Sequence, residues 1–242
     1  MPKHLVLLAG WGLGIAPLEA LAAALGKALP DFSLQLQPLP DLTAQDGAAV
    51  IAQLDQQLPK GCWLIGWSLG GMLATALAAQ RQTACAGLIT YASNPCFVAR
   101  ESWPHAMPQA TFNAFRQLCH QDLGAGVKRF ALLCSQGALQ PRQLSRQLQD
   151  MAVLTDAGSA LAGLDLLAEL DNRAAIRHFA GRQLHVLAEA DALLAPEAAA
   201  LLQGLNPQAQ VELLGQSHAS VLAEPQLLAQ RLSAFIQGGA DA

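Results

Sequence analysis

Gly66-Trp67-Ser68-Leu69-Gly70, with Gly71 behind it, is the most informative stretch of this chain. It stands between a short apolar run, Cys62–Gly66, and a small-residue segment of helical spacing, Leu69–Gln80. A strand that turns at once into a helix forces an unfavourable backbone conformation on the residue at the turn. Glycines two positions to either side let strand and helix approach without Cβ clashes. The Ser68 hydroxyl is then lifted to the carboxyl end of a sheet. It faces the first N–H groups of the new helix, which stabilise negative charge. That arrangement suits a nucleophile that attacks a carbonyl. A plain small-residue turn produces the same five letters, but the flanking strand and helix favour the elbow.

A serine nucleophile needs a base, and the base needs a group that orients it. Behind such an elbow they follow along the chain as Asp or Glu, then His. There are six histidines. His4 precedes the elbow, and His105, His120 and His178 fall in a helical stretch. His185 lies mid-strand, where a structural role is expected. His218, in Gly215-Gln216-Ser217-His218-Ala219 after the last apolar run, is the expected base; a surface-loop histidine is the plain alternative. Asp191, three residues past the preceding strand, is the expected acid, with Glu189 its rival and a solvated turn acid the plain reading of both. The oxyanion needs two backbone donors. Leu69 N–H follows the nucleophile, and Trp11 N–H sits in Ala9-Gly10-Trp11-Gly12 after the first strand. One such donor is worth about 3 kcal/mol of barrier. Trp11 and Trp67, beside the serine, are candidate walls of an acyl site or simple packing residues.

These residues depend on a frame that alternates. Apolar runs at Leu5–Leu8, Ser33–Gln37, Cys62–Gly66, Ala86–Tyr91, Gln183–Ala188 and Gln210–Leu214 read as strands. Helical spacing at Leu18–Leu29, Ala44–Leu58, Leu69–Gln80, Pro196–Gln203 and Glu224–Gln237 separates them, which means βαβ units and a parallel sheet. The rhythm breaks from about Pro95 to His178, where only helical patterns appear. Residues 1–94 and 179–242 are therefore the expected core, and 95–178 a helical insertion. With 52% apolar and 13% charged residues, the 242-residue chain is no disordered segment. A net charge of −4 does not fit a nucleic-acid binder. Five cysteines with no CxxC pair argue against a disulfide framework or a zinc cage, and suit a reducing cytoplasm. Lys3 and His4 before Leu5–Leu8 imitate a signal peptide, but Gly10, Gly12, Gly14 and Pro17 interrupt it. No run approaches a membrane span, so the expectation is a soluble cytoplasmic protein.

The combination resembles the α/β-hydrolase superfamily and, within it, the family of pimeloyl-[acyl-carrier protein] methyl ester esterases of biotin synthesis. The matching text is Leu5-Val6-Leu7-Leu8 with Gly10-Trp11-Gly12-Leu13, the elbow, and Ala92-Ser93-Asn94-Pro95-Cys96-Phe97. Ala99-Arg100, Trp103-Pro104, Arg129-Phe130 and the Asp191 and His218 loops also match. The elbow is generic; the Ser-x-Pro-Cys-Phe block followed by Trp-Pro is far more specific. Three positions depart from the family pattern. Ala9 stands where histidine is usual, Pro40-Asp41-Leu42-Thr43 replaces a Pro-Gly-x-Gly loop, and Ser220 stands where proline is common. The resemblance implies a serine carboxylesterase acting on pimeloyl methyl ester bound to acyl-carrier protein, with no metal or organic cofactor. The insertion would be a cap over the site.

Phe97, Trp103, Phe112, Phe115 and Phe130 are candidates for lining an acyl channel in that cap or simply for packing it onto the sheet, with Trp11 and Phe130 expected to bind substrate. Between Ser102 and Gln149 stand Arg116, Lys128, Arg129, Arg142 and Arg146 against Asp122, a net of +4, so the rest of the chain carries −8. Scattered charges usually mark a solvated face. A basic segment on an acidic chain fits an anionic partner, and the resemblance supplies acidic acyl-carrier protein, docked by Arg129, Arg142 and Arg146. Arg142 and Arg146 share a helix face if Pro141–Asp150 is helical. Three other readings stay open: a broad short-chain carboxylesterase, a C–C bond hydrolase of the same fold, and a catalytically silent binding protein.

Overall fold

The computed structural model describes residues 3–43, 46–153 and 156–238. Its strands are β1 (Lys3–Leu8), β2 (Phe32–Gln37), β3 (Trp63–Trp67), β4 (Gly87–Tyr91), β5 (Gln183–Leu187) and β6 (Gln210–Leu213). All pair in parallel in one sheet of order β2-β1-β3-β4-β5-β6. Every residue of β3, β4 and β5 is buried, because helices cover both faces of the sheet. The edge strands β2 and β6 stay half-exposed. Leu8 pairs with Gly66, Trp67 with Tyr91, and Leu187 with Leu213, so the strands end nearly level. The loops that follow β1, β3, β5 and β6 therefore share one edge, where open parallel sheets bind ligands.

The connections include α1 (Glu19–Ala28), α2 (Gly47–Gln57) and α3 (Leu69–Arg81). Asp46 starts α2 by accepting from Ala49 N–H at 2.8 Å; Ala44, where the sequence pattern begins this helix, lies outside the described residues. Buried Arg81 closes the far end of α2. It pairs with Asp55 at 2.7 Å and donates to the carbonyls of Asp55 and Leu58, so its own buried charge is paired.

Between β4 and β5 come α4 (Gln109–Gln121), α5 (Leu123–Ser135), α6 (Pro141–Asp150), α7 (Ala157–Glu169) and α8 (Arg173–His178). The first four pack on one another, whereas α8 returns to the core against α3. Arg100 donates to the carbonyls of Ala168 and Glu169 and so closes the C-terminus of α7. After β5 come α9 (Ala198–Leu205), the single turn α10 (Ser220–Ala223) and α11 (Pro225–Gln237). Helix α9 starts two residues later than the pattern suggests, because Ala198 and Ala199 N–H close a turn onto Ala195 and Pro196.

Candidate active site

Ser68 lies between β3 and α3 with φ 55° and ψ −123°, a conformation side chains rarely adopt. The crowding that sets it is visible at the flanking glycines. A Cβ on Gly66 would stand 2.3 Å from Gly70 O, and one on Gly70 would stand 2.4 Å from the carbonyls of Leu8 and Ala9. Ser68 N–H holds the turn to the neighbouring strand through Tyr91 O at 3.0 Å, and Ser68 O accepts from Gly71 N–H at 2.9 Å. Leu69 N–H, the first of α3, has no acceptor within its own helix. The Gly10–Gly12 loop comes up on the other side: a Cβ on Gly10 would be 3.3 Å from Ser68 Cβ. Trp11 and Leu69 thus flank the serine.

His218 Nδ1 lies 2.8 Å from Asp191 Oδ2, with both side chains sealed from solvent. Asp191 Oδ1 accepts from the N–H groups of Leu193 (2.8 Å) and Leu194 (3.2 Å), which fixes the carboxylate plane. A carboxylate only accepts, so Nδ1 carries the proton and Nε2 presents its lone pair. Nε2 is buried and has no hydrogen-bond partner. Glu189, the rival acid, is exposed and accepts instead from Gln216 Nε2 at 2.9 Å.

Several residues hold the histidine loop. Trp67 Nε1 donates to His218 O at 2.8 Å, so Trp67 is a strut for the histidine, and it does not line the apolar cavity between the insertion helices. Tyr91, the only tyrosine in the chain, donates to Ser217 O at 3.0 Å. Burial pushes its pKa up and keeps it a donor. Ser220 Oγ accepts from Ser217 N–H (3.1 Å) and donates to Glu224 Oε2 (2.6 Å), which ties the turn around His218. Asp41, in the other departing loop, accepts from both Thr43 N–H and Thr43 Oγ1 and makes the turn without glycine.

A cavity of about 680 Å³ opens among α4, α5 and α7 and reaches down to Trp11 and Leu193. Phe97, Phe112, Phe115 and Phe130 line it, with Arg129 as the one charged residue on its wall among the described residues. Trp103 is not there: paired backbone bonds with Arg100 turn it into the interior. Arg142 and Arg146 do share the exposed face of α6, opposite buried Leu144 and Leu148. Arg116 leaves the basic set, because Asp165 of α7 neutralises it through two bonds of 2.6 and 3.0 Å.

The α/β-hydrolase family model matches residues 5–231. The chain belongs to the α/β-hydrolase family. Among curated relatives it is 37% identical over 240 residues to the biotin biosynthesis bifunctional protein BioHC of Cellvibrio japonicus, covering 96% of this chain and 47% of that one. It thus spans about half the length of that relative. It is 31% identical over 243 residues to the pimeloyl-[acyl-carrier protein] methyl ester esterase of Yersinia pseudotuberculosis, covering 96% and 93% of the two chains. A solved hydrolase from Oleispira antarctica superposes with a TM-score of 0.84 at 16% identity over 98% of this chain and 92% of that one, a likeness of fold.

In this α/β-hydrolase the sequence gives no sign of the supports. Trp67 and Tyr91 reach loops more than a hundred residues away, so no local spacing announces them. Tyr91 had one usable cue, a lone phenol at a strand end beside the elbow. Among the described residues no group of three metal-ligating side chains exists, and no helix is long and apolar enough to cross a membrane.

Proposed function

We propose that this chain is a serine carboxylesterase whose substrate is the methyl ester of a pimeloyl group on acyl-carrier protein. The observation that carries the esterase reading is the sealed His218–Asp191 pair, with Nε2 free to accept a proton at the edge where Ser68 is strained into its turn. Ser68 Oγ attacks the ester carbonyl carbon as its proton passes to Nε2. The carbonyl oxygen becomes an oxyanion held by Trp11 and Leu69 N–H. Nε2–H then protonates the departing methoxide, giving methanol and a Ser68 acyl ester. Water, deprotonated by the same nitrogen, attacks that ester and returns Ser68 Oγ–H and the free carboxylic acid. No step calls for a metal or an organic cofactor.

Three observations support the substrate: the printed names of the curated relatives, an apolar cavity of ligand size, and an exposed basic set on α5 and α6. Lys128, Arg129, Arg142 and Arg146 are exposed, and no ion pair holds them among the described residues. Leu139, 94% exposed just ahead of α6, adds an apolar foothold beside them. Such a surface fits the acidic carrier protein and the phosphate of its arm. Five buried, unpaired cysteines suit a reducing cytoplasm. The test compares methanol release from pimeloyl-carrier methyl ester with hydrolysis of a short p-nitrophenyl ester. A kcat/KM at least about tenfold higher on the carrier-bound ester supports the reading. Parity would make the chain a broad short-chain esterase, and no labelling by a fluorophosphonate would remove the enzyme altogether.

A further inference from the structure

The oxyanion loop is held largely from outside the sheet. Ala9 N–H still bonds the β2 end at Gln37 O (3.0 Å), but the next ties run to the helical insertion. Gly12 O accepts from Val153 N–H at 3.0 Å, and the Trp11 indole N–H donates to Ala160 O of α7 at 3.0 Å. The indole meets Phe130 and Phe115 edge-on, with centroids 4.8 and 5.8 Å away. Its five-membered side rests on Gly163: a Cβ there would stand 2.4 Å from Trp11 Cδ1 and 2.7 Å from Nε1. Those atoms belong to a rigid ring already braced elsewhere, so they cannot yield as a flexible side chain would. Glycine in mid-helix weakens α7 relative to alanine. The seat for Trp11 is the physical reason for it.

We infer that Gly163 is a positioning residue for ester hydrolysis: its bare Cα lets Trp11 seat on α7, and that seat sets the Trp11 backbone N–H against Ser68. The inference rests on the reading that this N–H is an oxyanion donor. Donor distance matters steeply there, and the loop runs so close to the nucleophile that a Cβ on Gly10 would come within 3.3 Å of Ser68 Cβ. A methyl group at 163 lifts the indole from Ala160 O and carries the loop with it. The His218–Asp191 pair makes no contact with Gly163, so proton transfer is untouched.

The experiment is a double-mutant cycle on a small p-nitrophenyl ester. Gly163→Ala should lower kcat about 10–100-fold, part of the 10²–10³ that a lost donor costs, with KM within about twofold. The pH profile of kcat/KM should stay in place. An alkylboronic acid, whose tetrahedral anion needs the same donors, should bind more weakly by a factor similar to the loss in kcat. Trp11→Ala removes the ring that the new methyl meets, so in that background Gly163→Ala should cost no more than about twofold. Trp11→Phe alone, which keeps a ring against Phe130 but loses the bond to Ala160, should show the same kcat and boronate losses even if Gly163→Ala fails to fold. Equal Gly163→Ala costs in both backgrounds, or a lower Tm with kcat unchanged, overturns the inference. Ser68→Ala run alongside separates the two levels. If that variant stays active the esterase reading fails; if it is dead while Gly163→Ala matches wild type, only the positioning role fails.

Discussion

A serine at φ 55° and ψ −123° is held where only glycine rests comfortably, at a cost of about 1–3 kcal/mol. The backbone bonds to Tyr91 and Gly71 hold it there. Two substitutions therefore separate chemistry from strain. Ser68→Ala should leave the fold intact and lower hydrolysis by several orders of magnitude, as lost nucleophiles do. Ser68→Gly should be equally inactive yet more stable than Ser68→Ala by about 1 kcal/mol, read as a higher Tm. The acid is a similarly local matter. Asp191→Asn puts an N–H or a weaker acceptor against His218 Nδ1, disturbs the tautomer, and should cost about 10³–10⁴ in turnover. Glu189→Gln alters an exposed bond to Gln216 and should cost less than about twofold by the same assay. A reversed pair of effects would make Glu189 the acid and leave Ser68 in place.

Elements differ in how far they can be read before folding. β1, β3 and β4 are apolar runs closed by glycine or a tight turn, and they lie within one or two residues of where the pattern puts them. The elbow is legible because strand, turn and helix adjoin in the chain, and the base follows from chain order. Spacing alone left two acids open; what separates them is the pair of N–H groups of Leu193 and Leu194 that aim Asp191. Trp103 and Trp67 stayed open between walls and packing residues for one reason, and the structure makes both packing residues. An aromatic residue near a site has the same letter whether it faces the cavity or braces a loop behind it. The helical insertion is equally mute about its ties, such as Ala219 N–H to Cys134 O (3.1 Å), which joins α5 to the histidine loop. Strand β5 hides a further property. His185 Nε2 faces Gln183 Oε1 at 3.2 Å, and Nδ1 meets the Thr90 hydroxyl at 2.8 Å, a neutral imidazole fully enclosed. Burial lowers its pKa from 6.5 to about 4. Between those values the unfolded chain binds the extra proton and the folded one does not, so stability is full above the upper value and falls with pH toward the lower. Urea unfolding at pH 5 should give about 2 kcal/mol less than at pH 7.5 from this group, and His185→Asn should flatten that slope. An unchanged slope in the variant would assign the acid sensitivity elsewhere.

Charge is the property of the whole molecule that no single contact explains. The chain carries −4, yet the stretch from Ser102 to Gln149 carries +4. Pairing of Arg116 with Asp165 cancels part of that excess at the surface, so the unpaired positive set is Lys128, Arg129, Arg142 and Arg146 among the described residues. Arg129 stands on the cavity wall, while Arg142 and Arg146 lie farther along on α6. An acidic carrier docked on this exposed set would meet these charges, whereas a small neutral ester would not. Exposed charges act mainly on encounter rate and on salt dependence. Arg142→Glu together with Arg146→Glu should therefore lower kcat/KM on the carrier-bound ester by about tenfold or more at low salt, and leave the p-nitrophenyl ester within about twofold. Salt should reproduce the loss in the unmodified enzyme by degrees, since such charges are screened over roughly 10 Å at 0.1 M. The reversed variant should have little left to screen, so its salt dependence should be nearly flat. Equal losses on both esters would show that the two arginines support α6 itself. No loss on either would leave them a solvated face, and the carrier protein would then dock elsewhere or not at all.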